Sequence, residues 1–254
     1  MAFKKDLSKK DNKLEEFTEF LKTVDLGGYR KQYAHIKIVE MDLVLPKKLC
    51  DSFGVKRMDI QAINLLYKVY WEEKNFISFD EFYDIYLKEK KELLEAFREY
   101  VEMCESCFYR GLKARIYRTW AGLITQIHGG YVAESVFGEG SVEMSRELDS
   151  LGADIRVNYG GKKLNYQVKK ASYSGVMSRK PLSRRVSEGE NIDIYYEVPN
   201  SDIFDNPKTK KGEIRTGYKR FMDDKRTDRL PNGFIIFTKD TFLPKKEDID
   251  SKKI

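Results

Sequence analysis

The chain has 254 residues, 41% of them hydrophobic and 13% aromatic, which suffices for one large or two small packed domains and excludes wholesale disorder. Its 47 Lys and Arg outnumber 41 Asp and Glu by a modest +6, so the placement of charge says more than its sum. No apolar run approaches the roughly 18–20 residues of a membrane span, and the opening MAFKKDLSKKDNK has no apolar core after its lysines; no membrane anchor or signal peptide is expected, and a cytoplasmic location is.

The first half reads helical. Leu14, Phe17, Leu21 and Val24 follow a helical stripe, and Gly27-Gly28 is expected to stop it. Tyr29 to Leu45 is mixed, with Ile36, Ile38 and Val39 as a short extended piece. The helical pattern returns from Asp59 to Trp71 through Ile60, Ile63, Tyr67 and Tyr70. Ser78-Phe79-Asp80-Glu81 is a capping-box signature. Behind it the spacing predicts a helix to about Cys107, with Phe82, Tyr86, Leu94, Phe97 and Val101 inward. Leu112, Ile116, Trp120, Leu123 and Ile127 form another stripe, ended by Gly129-Gly130. The three cysteines, Cys50, Cys104 and Cys107, are an odd number that fits a reducing compartment. Cys104-x-x-Cys107 is either half a zinc site or two thiols on a helix. With no second pair, and only His35 and His128 as further soft ligands, the thiol reading is preferred.

After Gly130 the texture changes. Strands are expected at Asp154–Tyr159, Leu164–Lys169, Ile192–Val198 and Gly233–Thr238, with a crossover helix within Gly212 to Asp228. The expected class is α/β (α+β): one domain over 1–254, with a helical region 1–130 packed on a β-rich core 131–254 that holds a mixed sheet.

The stretch from Glu147 to Lys170, ELDSLGADIRVNYGGKKLNYQVKK, organises the rest. Gly160-Gly161 is a two-residue hairpin signal, because both positions tolerate positive φ. Cross-strand partners then sum to 321, which sets Asp154 opposite Gln167 with Cβ atoms roughly 4.5–5.5 Å apart. Lys169 lies one pleat further on the same face. A carboxylate, an amide oxygen and an ammonium converge there, the set that metal-assisted phosphodiester cleavage needs. Asp-x12-Gln-x-Lys is the PD-(D/E)xK nuclease pattern with Gln in the second acidic place. The alternative is an ordinary hairpin with polar residues on a wet face. From Lys169 to Arg185 six basic residues and no acidic one follow, suited to a phosphate backbone.

Five collinear segments add a family resemblance: FLKTVDLGGYRKQYAHIKIVEMDL, GLKARIYRTW, ELDSLGADIRV, YQVKKASY and RLPNGFIIF, spanning about residues 15 to 238. With them the sequence resembles the TaqI family of type II restriction endonucleases. The resemblance implies a homodimeric enzyme that uses Mg2+ and cuts both strands of double-stranded DNA at a short palindrome, TCGA for the namesake. It also implies a companion DNA methyltransferase. The family's two carboxylates fall on Asp149 and Asp154, and its Gln-x-Lys-Lys on Gln167, Lys169 and Lys170. The expected metal ligands are Asp154, then Asp149, with the Val168 carbonyl and the Gln167 amide oxygen available. Glu134 and Glu147 are further ligand candidates, with the surface carboxylate as the preferred reading of each. Lys169 is expected to act on the attacking water or the phosphate. Lys170, Arg179, Lys180, Arg184 and Arg185 are the candidate DNA contacts. Two other readings stay open: a structure-selective repair or nicking nuclease, and a DNA-binding protein with a silent site.

Overall fold

In a computed structural model the described residues are 13–33, 35–36, 43–171, 186–197 and 201–252. The helical half begins with α1 (Lys13–Thr23), α2 (Leu26–Tyr33) and α3 (Lys47–Phe53). Then come α4 (Ile63–Leu66), which runs on as a π-helical turn over Tyr67–Glu72, α5 (Phe79–Tyr100) and the 33-residue α6 (Glu105–Phe137). The second half runs β1 (Val142–Glu143), α7 (Arg146–Leu151), β2 (Ile155–Tyr159), β3 (Lys162–Ala171), β4 (Glu190–Glu197), α8 (Ser201–Asp205), α9 (Thr216–Asp223), β5 (Thr227–Arg229), β6 (Ile235–Phe237) and α10 (Leu243–Ser251). All four expected strands are present. Among the described residues, no helix is long and apolar enough to cross a membrane.

The sheet order is β1-β2-β3-β4. The first two pairings are antiparallel and β3 pairs β4 in parallel, so the sheet is mixed. β5 and β6 form a separate antiparallel pair. The β2–β3 register matches the expected sum of 321: Ile155 faces Tyr166 and Val157 faces Leu164 across a turn whose glycines take φ of 58° and 75°. The helix between Gly212 and Asp228 is found as α9, leading to the separate β5–β6 pair.

The Ser78 capping box forms in full: the hydroxyl accepts from the Glu81 amide, and the Glu81 carboxylate accepts from the Ser78 amide. Such a cap stabilises a helix start by about 1 kcal/mol. The helix behind it stops earlier than its periodicity suggests. Glu102 takes φ of 53°, and Cys104 caps a new helix by accepting from the Cys107 amide at 3.3 Å. Cys104 and Cys107 are exposed on the first turn of α6. His128 instead lies in the core, its Nε2 3.3 Å from Thr18 Oγ1, and burial pushes its pKa down to about 3.

Two glycine pairs expected to stop helices lie inside them. Asp25 ends α1 and starts α2 by accepting from the Gly28 amide at 2.9 Å. A Cβ at Gly28 would sit 2.1 Å from that carboxylate, so the glycine makes room for the cap. Gly129 and Gly130 lie within α6, where the helix meets the sheet. A Cβ on Gly129 would come within 3.1 Å of Phe237 and 3.2 Å of Ile155 Cδ1, and one on Gly130 within 2.2 Å of Met144 Sδ. Their lack of a side chain sets the helix-to-sheet approach.

One buried cluster runs from Phe17 and Leu21 in α1, through Trp120, Ile124 and Ile127 in α6, to Ile155, Val157, Leu164, Tyr166 and Ile194 in the sheet. Three buried tyrosines satisfy their hydroxyls on backbone carbonyls: Tyr70 on Ile77, Tyr86 on Ile60, Tyr131 on Tyr70. The C-terminal segment ties both halves. Asn232 donates to the carbonyl of Leu21 in α1 and to that of Val24 just past its end, and Phe242 packs edge-on against Tyr166. The stripe from Ile38 to Val39 lies outside the described residues, and Ile36 is irregular.

Gly129→Val should overpack the α6–sheet contact and lower stability by about 1–3 kcal/mol in urea unfolding. Gly122→Ala, on the same helix with open space at its Cβ, should raise it by about 0.5–1 kcal/mol. Equal effects from the two would refute the packing role given to Gly129.

Candidate active site

Asp154 ends the short loop before β2. The chain reaches it from α7, whose first turn Ser145 caps by accepting from the Leu148 amide at 3.1 Å and whose end Gly152 turns at φ of 99°. This tight helix-to-strand corner brings Asp149 back beside Asp154, and the two carboxyl groups are in hydrogen-bonding contact. Asp154 is 5% exposed, and its Oδ2 accepts from the Val168 amide on β3 at 2.6 Å. The hairpin face is therefore not the wet polar face of an ordinary exposed hairpin. Leu148, Ala153 and Val186 form a small apolar cluster of their own beside it.

Two carboxylates in contact have only acceptors to offer each other, so one of them must hold a proton. Burial is the first cause that pushes Asp154 up, to about 7; Asp149 adds to it, while the Val168 amide and the Lys169 charge oppose it. Asp149 is raised too, chiefly by burial.

Gln167 and Lys169 share a face of β3, as expected from the alternation. The Gln167 Oε1 is buried and makes no hydrogen bond among the described residues. A buried amide oxygen without a donor costs free energy unless a ligand fills the place. Lys169 Nζ lies 3.4 Å from Asp193 Oδ2 and 5.4 Å from the Tyr195 ring centroid, with Tyr195 also donating to Asp193 at 3.2 Å. Lys169 and Asp193 side chains are about one quarter exposed, so this side of the site is open to solvent.

The structure thus brings together Asp149, Asp154, Gln167, Val168 and Lys169. Lys170 continues β3 in register with Tyr196 of β4. Arg179, Lys180, Arg184 and Arg185 lie outside the described residues. Glu134 accepts from the Gly140 amide at 2.9 Å, and Glu147 is exposed. Three neighbours escaped the sequence reading. Asp193 and Tyr195 arrive only through the parallel β3–β4 pairing. Tyr67 comes from the π turn of the helical half; its buried hydroxyl makes no hydrogen bond, and burial together with the charges of Asp149 and Asp154 pushes its phenol up.

The donor set fits a hard divalent cation. Two crowded carboxylates gain an opposite charge, and the orphaned Gln167 oxygen gains a partner. Among the described residues no group of three or more His, Cys, Asp or Glu side chains is placed to hold a metal ion.

Comparison with known proteins decides the family. The family model described as TaqI restriction endonuclease matches residues 14–247. The chain belongs to the TaqI restriction endonuclease family. It is 31% identical to the type II restriction enzyme TaqI of Thermus aquaticus over 233 residues, 88% of this chain and 83% of that one. It is 28% identical to the type II restriction enzyme TthHB8I of Thermus thermophilus over 232 residues, again 88% and 83%. No solved structure matches the chain. The family match spans both halves, so Asp149, Asp154, Gln167 and Lys169 all fall within it.

The carboxyl pair has a pH signature. An unfolded aspartate titrates near the model-peptide value of about 4, whereas folded Asp154 is pushed up to about 7. Folding therefore favours the protonated form. Its contribution is full below pH about 4 and is lost as pH rises through about 7, by on the order of 2–4 kcal/mol. In chelator, wild-type stability should fall between pH 5 and 8 more steeply than that of Asp154→Asn, which should be the more stable of the two at pH 8. Parallel pH profiles from chemical unfolding would contradict the assignment.

Proposed function

We propose that this type II restriction enzyme cuts both strands of double-stranded DNA at a short palindrome, TCGA, as a homodimer that uses Mg2+. The observation that carries the reading is the contact between Asp149 and Asp154 beside the unpartnered Gln167 oxygen, with Lys169 on the same face. Family membership supports the substrate and the word read. A twofold dimer is the economical match to a palindrome. A companion methyltransferase, protecting the host's own sites, follows from the same membership.

In this mechanism Asp154 would be the main Mg2+ ligand and Asp149 a second carboxylate, direct or through water. The Gln167 amide oxygen and the Val168 carbonyl complete the protein's share. When bound, the cation polarises the scissile phosphate and makes water a better nucleophile at neutral pH. The Val168 amide fixes the rotamer of Asp154. Lys169 holds positive charge against the reacting phosphate and orients the attacking water. With Gln in the second acidic place the site carries one negative charge fewer, so metal affinity rises once DNA phosphate joins. The basic run of Lys170, Arg179, Lys180, Arg184 and Arg185 follows the duplex backbone. Sedimentation with the cut duplex should find two chains per site.

Unmethylated plasmid incubated with the protein and Mg2+ should give discrete fragments whose sequenced ends share one word. Cutting that depends on lesions or junctions would favour a repair nuclease, and binding without cutting a silent site. Asp154→Ala should abolish cleavage with the fold intact. Lys169→Ala should slow single-turnover cleavage by about 10²–10⁴-fold with modest loss of affinity. Alanine at Arg179, Lys180, Arg184 or Arg185 should instead weaken binding in Ca2+ and flatten its salt dependence by about one log–log unit per lost phosphate contact. Wild-type turnover by Lys169→Ala once bound would end this division of roles.

A further inference from the structure

We propose that Asp193 on β4 supplies the carboxylate that position 167 lacks, as a positioning residue for the metal's water shell and for Lys169. The inference rests on the nuclease reading above.

Position 167 carries a neutral amide where the nuclease pattern places an acid. In the β3–β4 ladder the Cα partner of Gln167 is Asp193. Parallel partners project from the same face, on strands about 4.8 Å apart. The side chain itself confirms the face, because Asp193 Oδ2 lies 3.4 Å from Lys169 Nζ. Asp154 flanks β3 on its other side, and the Lys169 charge acts on it as well. The face thus carries a row: Asp154, then Gln167 and Lys169, then Asp193. The acid missing from the middle strand stands on the next one.

The Lys169–Asp193 contact does not read as a stabilising ion pair. Both side chains are about one quarter exposed, and a single long contact of 3.4 Å in that setting contributes little to stability. The carboxylate can therefore face a metal-bound water while the ammonium stays beside it. Tyr195 limits how far it can turn, since its hydroxyl donates to the same Oδ2 at 3.2 Å. Two strand spacings separate Asp154 from Asp193, about 10 Å between backbones. Mg–O bonds of about 2.0–2.1 Å do not span that gap from both carboxylates, and Mg2+ keeps several waters. Asp193 therefore acts through a water of the ion, while its charge holds Lys169 beside it.

The test uses the full chain. Mn2+ is titrated by electron paramagnetic resonance without DNA, and single-turnover cleavage of unmethylated duplex is followed in Mg2+. Asp193→Asn should weaken Mn2+ binding and slow cleavage by about 10–100-fold each, with thermal unfolding in chelator unchanged. Asp193→Glu should keep most of both. The double variant Gln167→Glu with Asp193→Asn, which returns the acid to β3, should recover Mn2+ affinity to within about tenfold of wild type. A merely structural ion pair would not be replaced by an acid at position 167. Wild-type Mn2+ affinity in Asp193→Asn, or no recovery in the double variant, overturns the proposal while a cutting wild type leaves the nuclease reading standing. A wild type that binds Mn2+ and never cuts DNA removes both.

Discussion

The approach of α6 to the sheet is the constraint on which the other parts depend. A helix and a sheet normally keep a side chain's width between them. Here Gly129 and Gly130 remove that width, and Phe237, Ile155 and Met144 occupy the space. Ile155 is the residue after Asp154, so the same contact that joins the two halves also fixes the start of β2. The tight corner from α7 then has one way to run, and it ends with two carboxyl groups touching.

That contact is unfavourable in isolation. Burial and like charge both oppose ionising Asp149 and Asp154 together. The Val168 amide and the Lys169 charge offset part of the cost for Asp154, and the rest is left to a proton or a cation. Local frustration of this kind is common where a protein must bind a charged ligand. The oxygens of Gln167 and Tyr67 belong to the same pattern: buried polar atoms without a hydrogen-bond partner among the described residues.

The helical half is more than a support. Its π turn brings Tyr67 within electrostatic reach of the carboxylates, and π turns interrupt helices often at functional positions. The tail of the chain binds the halves again, with Asn232 closing the end of α1 and Tyr159 donating to Asp250 on α10. The site sits between elements that are each held from two sides, which suits a reaction needing fixed geometry.

Much of this was legible from residue order. The Gly160-Gly161 turn and the period-2 alternation around it allow one register, because a slip of one residue would send every apolar side chain to the wrong face. That register sets Asp154, Gln167 and Lys169 on one face, and the Ser78 cap was legible too, because its hydrogen bonds span three residues. Glycines in the helices were misread for a physical reason. A local pattern cannot tell a glycine that ends a helix from one that lets another element come close, and only the positions of Met144, Phe237 and Asp25 distinguish them. The parallel β3–β4 pairing was equally invisible, since partners in it are 26 residues apart, as Gln167 and Asp193 are. The sequence alone determined which residues could share a face of a hairpin; the tertiary structure decided that this face would be buried, charged on both sides and short of partners, because burial and long-range pairing depend on atoms that no local spacing encodes.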